Sequence, residues 1–276
     1  VRGMDGSTAG YSSIADFNTA FSETPAAVNI LSYAPHNTIR QQVMGADNRR
    51  HASEEEVAAM AALLEEDMQA GAFGLSTGLE YEPGIFSSTE EVIALAKVAA
   101  KHGGRYSSHL RDEDDQFIEA LQEIIRIGKE ADIPVHVSHI KLADRLYWGS
   151  TDDVLSLLDS ARVDGVELTA DIYPYERWAS NLAVLFPDRD YSRRETADYT
   201  FERTAAAEDI LLIHYPPAPR FEGMNIAEIA VMTERDTAAT LLELSQAAAD
   251  YRQETGEPGS GIIAKSMNDT DVAYFM

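Results

Sequence analysis

Cysteine is absent from this 276-residue sequence. That removes disulfides, thiolate metal sites and cysteine nucleophiles from this stretch, without fixing a compartment. Lysine is scarce, five residues among 22 basic ones, against 47 acidic residues and a formal net charge of −25. Phosphate binding needs clustered Lys and Arg, so nucleic acid and anionic membrane surfaces are not expected partners. The acidity fits an ordinary solvated surface, or adaptation to high salt, where ions screen the self-repulsion. A melting temperature that did not rise with NaCl would exclude the second. No apolar run reaches the roughly 18 residues of a membrane span. Val1-Arg2-Gly3 lacks an initiator Met and does not read as a signal-peptide start. A cytoplasmic location is the default expectation, with an export signal before Val1 left open.

What is present has the composition of a globular protein, 45% apolar, and a repeating rhythm. Val28 to Tyr33 is a short β-rich run. Ser53 followed by Glu54, Glu55 and Glu56 predicts a helix N-terminus, with Met60, Leu63, Leu64 and Met68 on its apolar face and Gly71 just past its end. Ala72 to Thr77 reads as a strand. Thr89 opens a helix to Lys101, closed by Gly103-Gly104. Arg105 to Leu110 is a strand and Asp115 to Ala131 an amphipathic helix. Pro134 to Lys141 is a strand, Asp152 to Arg162 a helix, and Glu167 to Tyr173 a strand.

Strand starts near residues 28, 72, 105, 134 and 167 recur at the pitch of a βα unit. This predicts a parallel sheet flanked by helices. An open doubly wound sheet is one form. A (β/α)8 barrel, which takes about 250 residues, is favoured because His36, Ser76, His109, His139 and Asp171 fall at or just beyond strand C-termini, the functional rim of such barrels. Beyond Tyr175 the rhythm degrades. Asn181 to Arg194 reads as a long loop, Asp209 to Tyr215 as a strand and 225 to 252 as helical. Gly256 to Gly261 is a turn, and Gly261 to Ser266 a last strand. No second domain with its own core is expected.

The strongest chemical signal is the pair Ser108-His109-Leu110 and Ser138-His139-Ile140, 30 residues apart. Neighbouring parallel strands lie about 4.8 Å apart, so equivalent histidines can converge on one ion, imidazole being a common zinc ligand. Two satisfied core histidines explain the spacing equally well. Strand alternation sets His136 on the face opposite His139, as a structural residue. Lys141 can pair with a carboxylate or phosphate, form a Schiff base, or sit solvated at a strand end. Asp171 is a ligand, a supporting carboxylate or a strand cap. The loop Ser76 to Gly84 lacks the spacing of a phosphate loop, and Tyr81 in it is a candidate carboxylate donor or a packed surface ring.

Together these segments resemble a known family. Gly71-Ala72-Phe73-Gly74-Leu75-Ser76-Thr77-Gly78-Leu79-Glu80-Tyr81-Glu82-Pro83-Gly84 is similar to a segment of the N-acyl-D-amino-acid deacylases (D-aminoacylases), a branch of the amidohydrolase superfamily. So are Tyr106 to Glu113, Val137 to Lys141 and Thr169 to Tyr175, while Ala34 to Arg40 looks like the family's Gly-His-Gly-Thr loop with Pro35 and Asn37 replacing the glycines. The resemblance spans residues 1 to 276, dense from 71 to 175 and loose beyond 195. It implies an α/β fold, a (β/α)8 TIM-like barrel of the metal-dependent hydrolase type, with strands 3 to 7 present and strands 1, 2 and 8 missing. Residues 1–276 would then be a partial catalytic barrel, with 176–260 an insertion before the final strand.

The resemblance further implies zinc, one or two ions, held by His109 and His139. It assigns Lys141, Tyr81 and Tyr173 to the α-carboxylate of a small-molecule N-acyl-D-amino acid, with His36 lining the pocket. The family's His-x-His pair and its early Cys or Glu ligand would precede Val1, and its catalytic Asp would follow Met276. The 276 residues alone are therefore expected to be inactive and poorly stable. A dihydroorotase- or hydantoinase-like cyclic amide hydrolase normally carries a carboxylated Lys on strand 4, and Ala72 to Thr77 has none. A metal-free Schiff-base enzyme using Lys141 and a non-catalytic binding barrel are the other readings. Arg177 and Arg189 are candidate partners for an acidic side chain or plain surface residues. Oligomeric state is not legible.

Overall fold

The computed structural model describes residues 11, 13–24, 26–186 and 189–276; Val1-Arg2-Gly3 lies outside them. The chain forms two compact units. The first holds the described residues up to Asp112 with Gln116–Ile140 and Ser156–Asp171. The second holds Glu113–Asp115, Lys141–Leu155 and Ile172–Met276.

The first unit opens with α1 (Ile14–Glu23), β1 (Ala34–Pro35), α2 (His36–Met44) and α3 (Glu54–Gln69). It continues through β2 (Gly74–Gly78), α4 (Thr89–Lys101), β3 (Arg105–His109), α5 (Phe117–Ala131), β4 (Val135–Val137), the part of α6 (Thr151–Val163) from Ser156 onward, and β5 (Leu168–Ala170). All neighbouring strands are parallel, in the order β1-β2-β3-β4-β5. A doubly wound sheet reverses its strand order at a switch point. Here the order never reverses, which is the winding of a barrel, and the sheet is part of a (β/α)8 barrel.

Local chemistry accounts for the helix ends. Ser53 and Glu56 form a reciprocal capping box on α3. α4 is capped by Ser88, whose hydroxyl accepts from Glu91 N–H. Thr89 opens the helix as expected, but the cap is the residue before it, and the Thr89 hydroxyl donates to Glu123. On α5, Phe117, Leu121 and Ile124 are buried, and Asp132 ends the helix in the left-handed conformation. Gly74 has no room for a side chain beside β3: a Cβ there would lie 1.9 Å from the Arg105 carbonyl oxygen.

The β-rich run 28–33 is not a strand. Val28 and Leu31 are exposed, and only Ala34 and Pro35 pair, with Leu75 and Ser76. None of residues 28–33 is fully buried, so the β propensity of that run has no buried face to support it. Leu75, Thr77, Tyr106, Ser108, Val135, Val137 and Leu168 form the buried, helix-covered face of the sheet. Ser76, Ser107, His109, His136 and Thr169 line its more open face. A hydroxyl chain crosses the buried face: Thr77 Oγ1 lies 2.7 Å from Tyr106 Oη and 2.8 Å from Ser108 Oγ. Burial pushes the Tyr106 hydroxyl up to about 12.

The second unit contains β6 (Arg177–Ser180), α7 (Arg194–Tyr199), β7 (Leu211–His214), α8 (Ile226–Met232), α9 (Thr237–Thr255), β8 (Gly261–Lys265) and α10 (Asp269–Phe275). Its antiparallel sheet has the order β6-β8-β7. The absence of a second core, expected from sequence, is not what is found: Leu185, Phe186, Ile210, Leu241 and Ile262 belong to one buried cluster. The run 225–252 is two helices, separated by Glu234 at φ +54° and restarted by the Asp236 N-cap. Asp271 anchors α10, accepting from Gly149 N–H, Thr151 Oγ1 and Asn268 Nδ2. Among the described residues, no helix is long and apolar enough to cross a membrane.

Candidate metal centre

The first unit brings His109 and His139 together at the C-terminal rim of its sheet. His109 is the last residue of β3, and Leu79 N–H donates to its carbonyl at 3.2 Å. His139 lies two residues past β4, in a turn with φ +43°, a left-handed conformation that costs a non-glycine residue about 1–2 kcal/mol. Asp171, just beyond β5, holds that turn. Its carboxylate accepts from His139 N–H and its carbonyl accepts from Ile140 N–H. Burial pushes the Asp171 carboxyl up, but the His139 N–H and the His136 ring outweigh it and hold it below the ordinary aspartate value.

His109 Nδ1 stands 3.1 Å from His139 Nε2, with ring centroids 4.7 Å apart. Two nitrogens bound at 2.0–2.1 Å to one tetrahedral ion are about 3.3 Å from each other. The pair therefore has the separation that a shared zinc requires. The other His109 nitrogen, Nε2, is 2.6 Å from Glu80 Oε2, and the Tyr81 ring lies 4.6 Å from the His109 ring. Both come from the loop after β2. Sequence reading singled out Tyr81 and passed over Glu80. Its two-residue separation from the strand end was the only available signal.

His136 departs from the alternation argument. It sits opposite Ser107 in the sheet register, on the face that carries His109, and its ring reaches Thr169 Oγ1 at 2.8 Å and Asp171 Oδ2 at 3.3 Å. The expected face was inferred from His139, but β4 ends at Val137 and the turn breaks the parity. His36 is not at an open pocket wall. It begins α2, is fully buried, and its Nε2 is 2.8 Å from Glu91 Oε1. The same carboxylate pairs with Arg40, whose other nitrogen contacts the Arg50 and Phe86 carbonyls.

Lys141 and Tyr173 lie in the second unit. Lys141 is buried, ion-paired with Glu113, and its Nζ is 5.9 Å from the Tyr173 ring centroid. Arg177 pairs with Asp209, and Arg189 donates to the Phe186 carbonyl.

The chain is similar to known proteins. The chain is 33% identical over 247 residues to a D-aminoacylase of Alcaligenes xylosoxydans xylosoxydans, covering 90% of this chain and 47% of that protein. It is 32% identical over 242 residues to an N-acyl-D-aspartate deacylase of the same organism, covering 87% and 45%. The crystal structure of an N-acyl-D-glutamate deacylase from Bordetella bronchiseptica, complexed with zinc and a phosphonate inhibitor, aligns with a TM-score of 0.80 at 27% identity, covering 98% of this chain and 51% of that one. The chain thus spans about half the length of the relatives it matches. No protein-family model matches it.

Proposed function

Since this chain belongs to the N-acyl-D-amino-acid deacylase family of amidohydrolases, we propose that it serves the zinc-dependent hydrolysis of N-acyl-D-amino acids to a carboxylate and a free D-amino acid. The observation that carries this reading is the 3.1 Å approach of His109 Nδ1 to His139 Nε2 at the strand ends. An amide is a weak electrophile with a poor leaving group. Zinc held there would supply Lewis acidity, activating water near neutral pH and polarising the scissile carbonyl.

The chain's own residues supply position. Asp171 fixes the backbone at His139, which sets where that side chain leaves the main chain. Lys141 is the proposed anchor of the substrate α-carboxylate, exchanging its bond to Glu113 for one to substrate, with the Tyr173 ring beside its ammonium group. Tyr81 is the proposed second donor to that carboxylate. An anchored carboxylate and an oriented amide fix the hand of the α-carbon between them, which supports selection for the D form. The formal net charge of −25 agrees with a small-molecule substrate rather than a polyanion.

The test is a deacylation assay with zinc on the protein as its gene encodes it. N-acetyl-D-amino acids should be hydrolysed, their L enantiomers should not, and zinc removal should abolish turnover. Equal rates with both enantiomers, or full activity after chelation, would reject the proposal.

A further inference from the structure

Glu80 makes a contact with a chemical consequence for His109. A neutral imidazole carries one N–H and one lone pair, and an ionised carboxylate only accepts. An ionised Glu80 facing a neutral imidazole across 2.6 Å requires the proton to be on His109 Nε2. The lone pair is then on Nδ1, the nitrogen 3.1 Å from His139 Nε2. Were the proton on Nδ1 instead, Glu80 would face a lone pair across 2.6 Å. That arrangement is repulsive, and His109 would have no free pair on the side of His139.

The loop that carries Glu80 is held at both ends. Leu79 is buried, and its N–H donates to the His109 carbonyl. Tyr81 N–H donates to the Gly78 carbonyl at 3.2 Å, and Asn37 Nδ2 donates to the same carbonyl at 3.3 Å. Glu80 is therefore the central residue of a pinned turn aimed at the imidazole. The side chains of Glu80 and His109 are only 18% and 11% exposed, so water competes weakly for the contact. Histidines that bind metal commonly give their second ring N–H to a carboxylate, which orients the ring and raises its basicity.

We propose that Glu80 is a positioning residue that fixes the tautomer and orientation of the His109 ring, so that Nδ1 presents its lone pair toward His139 Nε2. The metal-binding half of this inference rests on the reading given under Proposed function; the tautomer half does not.

The experiment uses the full chain labelled with 15N-histidine, at mildly alkaline pH and free of metal. The sequence has seven histidines, few enough for His109 to be assigned by comparison with His109→Ala. The wild-type ring is expected to be protonated at Nε2. Glu80→Leu should give mixed tautomers and a zinc affinity about 10–100-fold weaker at unchanged stoichiometry. Glu80→Gln, which keeps an acceptor oxygen, should retain the tautomer and fall between the two in affinity. A wild-type ring protonated at Nδ1, or a Glu80→Leu chain with wild-type tautomer and affinity, overturns the inference. Complete loss of zinc stoichiometry in Glu80→Leu also overturns it, making Glu80 a ligand instead. A wild-type chain that takes up no zinc, yet has His109 protonated at Nε2, upholds the tautomer and rejects the metal reading alone.

Discussion

Removing the Glu91 carboxylate should destabilise the first unit far more than a surface substitution could. Arg40 is fully buried and Glu91 nearly so, with side-chain exposures of 0% and 2%. Glu91 serves two partners at once, Arg40 and His36 Nε2. Glu91→Ala leaves the guanidinium in the interior without its counter-charge, which costs about 3–5 kcal/mol for a pair of this kind. The stranded His36 nitrogen adds about 1–3 kcal/mol to that. Replacing both charges, as Arg40→Met with Glu91→Leu, removes the uncompensated charge and should recover part of the loss. Urea unfolding followed by far-UV circular dichroism measures both variants.

The pH dependence has a defined sign. Burial pushes the Glu91 carboxyl up, but hydrogen bonds from His36 and Arg40 outweigh it and hold its pKa below the ordinary glutamate value. Its stabilising contribution is therefore complete above the unfolded-state value and is lost as pH falls through the lower folded one. The wild type should lose stability on acidification through that window, and Glu91→Ala should lose less. A Glu91→Ala chain within about 1 kcal/mol of wild type, or a double variant no more stable than the single one, would refute the reasoning.

Further outcomes are expected at the strands and the rim. Gly74→Ala drives a Cβ into the Arg105 carbonyl and should cost about 3 kcal/mol in urea unfolding; an unchanged midpoint would mean the two strands are not so close. Lys141→Met, in the protein as encoded, should raise KM for N-acyl-D-amino acids more than tenfold with zinc content unaltered; an unchanged KM removes Lys141 from the carboxylate site. Asp171→Ala frees the strained backbone at His139 and should weaken zinc binding about tenfold, as read by competition with a chelating dye; wild-type affinity would show that the turn holds itself.

What could be read from the sequence was whatever short stretches of chain encode. Ser53 with Glu56, and the Gly71 that follows α3, mark helix ends through contacts a few residues long. The convergence of His109 and His139 was legible because one βα unit separates them and parallel strands have a fixed spacing. Where a strand stops was not legible. β4 ends at Val137, so the alternation that placed His136 opposite His139 did not extend to the turn. The fate of His36 depends on Glu91, 55 residues away on another helix, and the role of Glu80 on a histidine 29 residues away. The second core escaped notice because β6 pairs with β8 across more than 80 residues, and nothing local in Arg177–Ser180 announces its partner.

Zinc binding by the two histidines tests the account most directly. Equilibrium dialysis of the full chain and of its His109→Ala and His139→Ala variants, with metal counted by mass spectrometry, should show zinc retained by the wild type. Each variant should bind at least about a hundredfold more weakly, because a chelate closed by two imidazoles is lost with either one. Variants that retain zinc as tightly as the wild type would contradict the account.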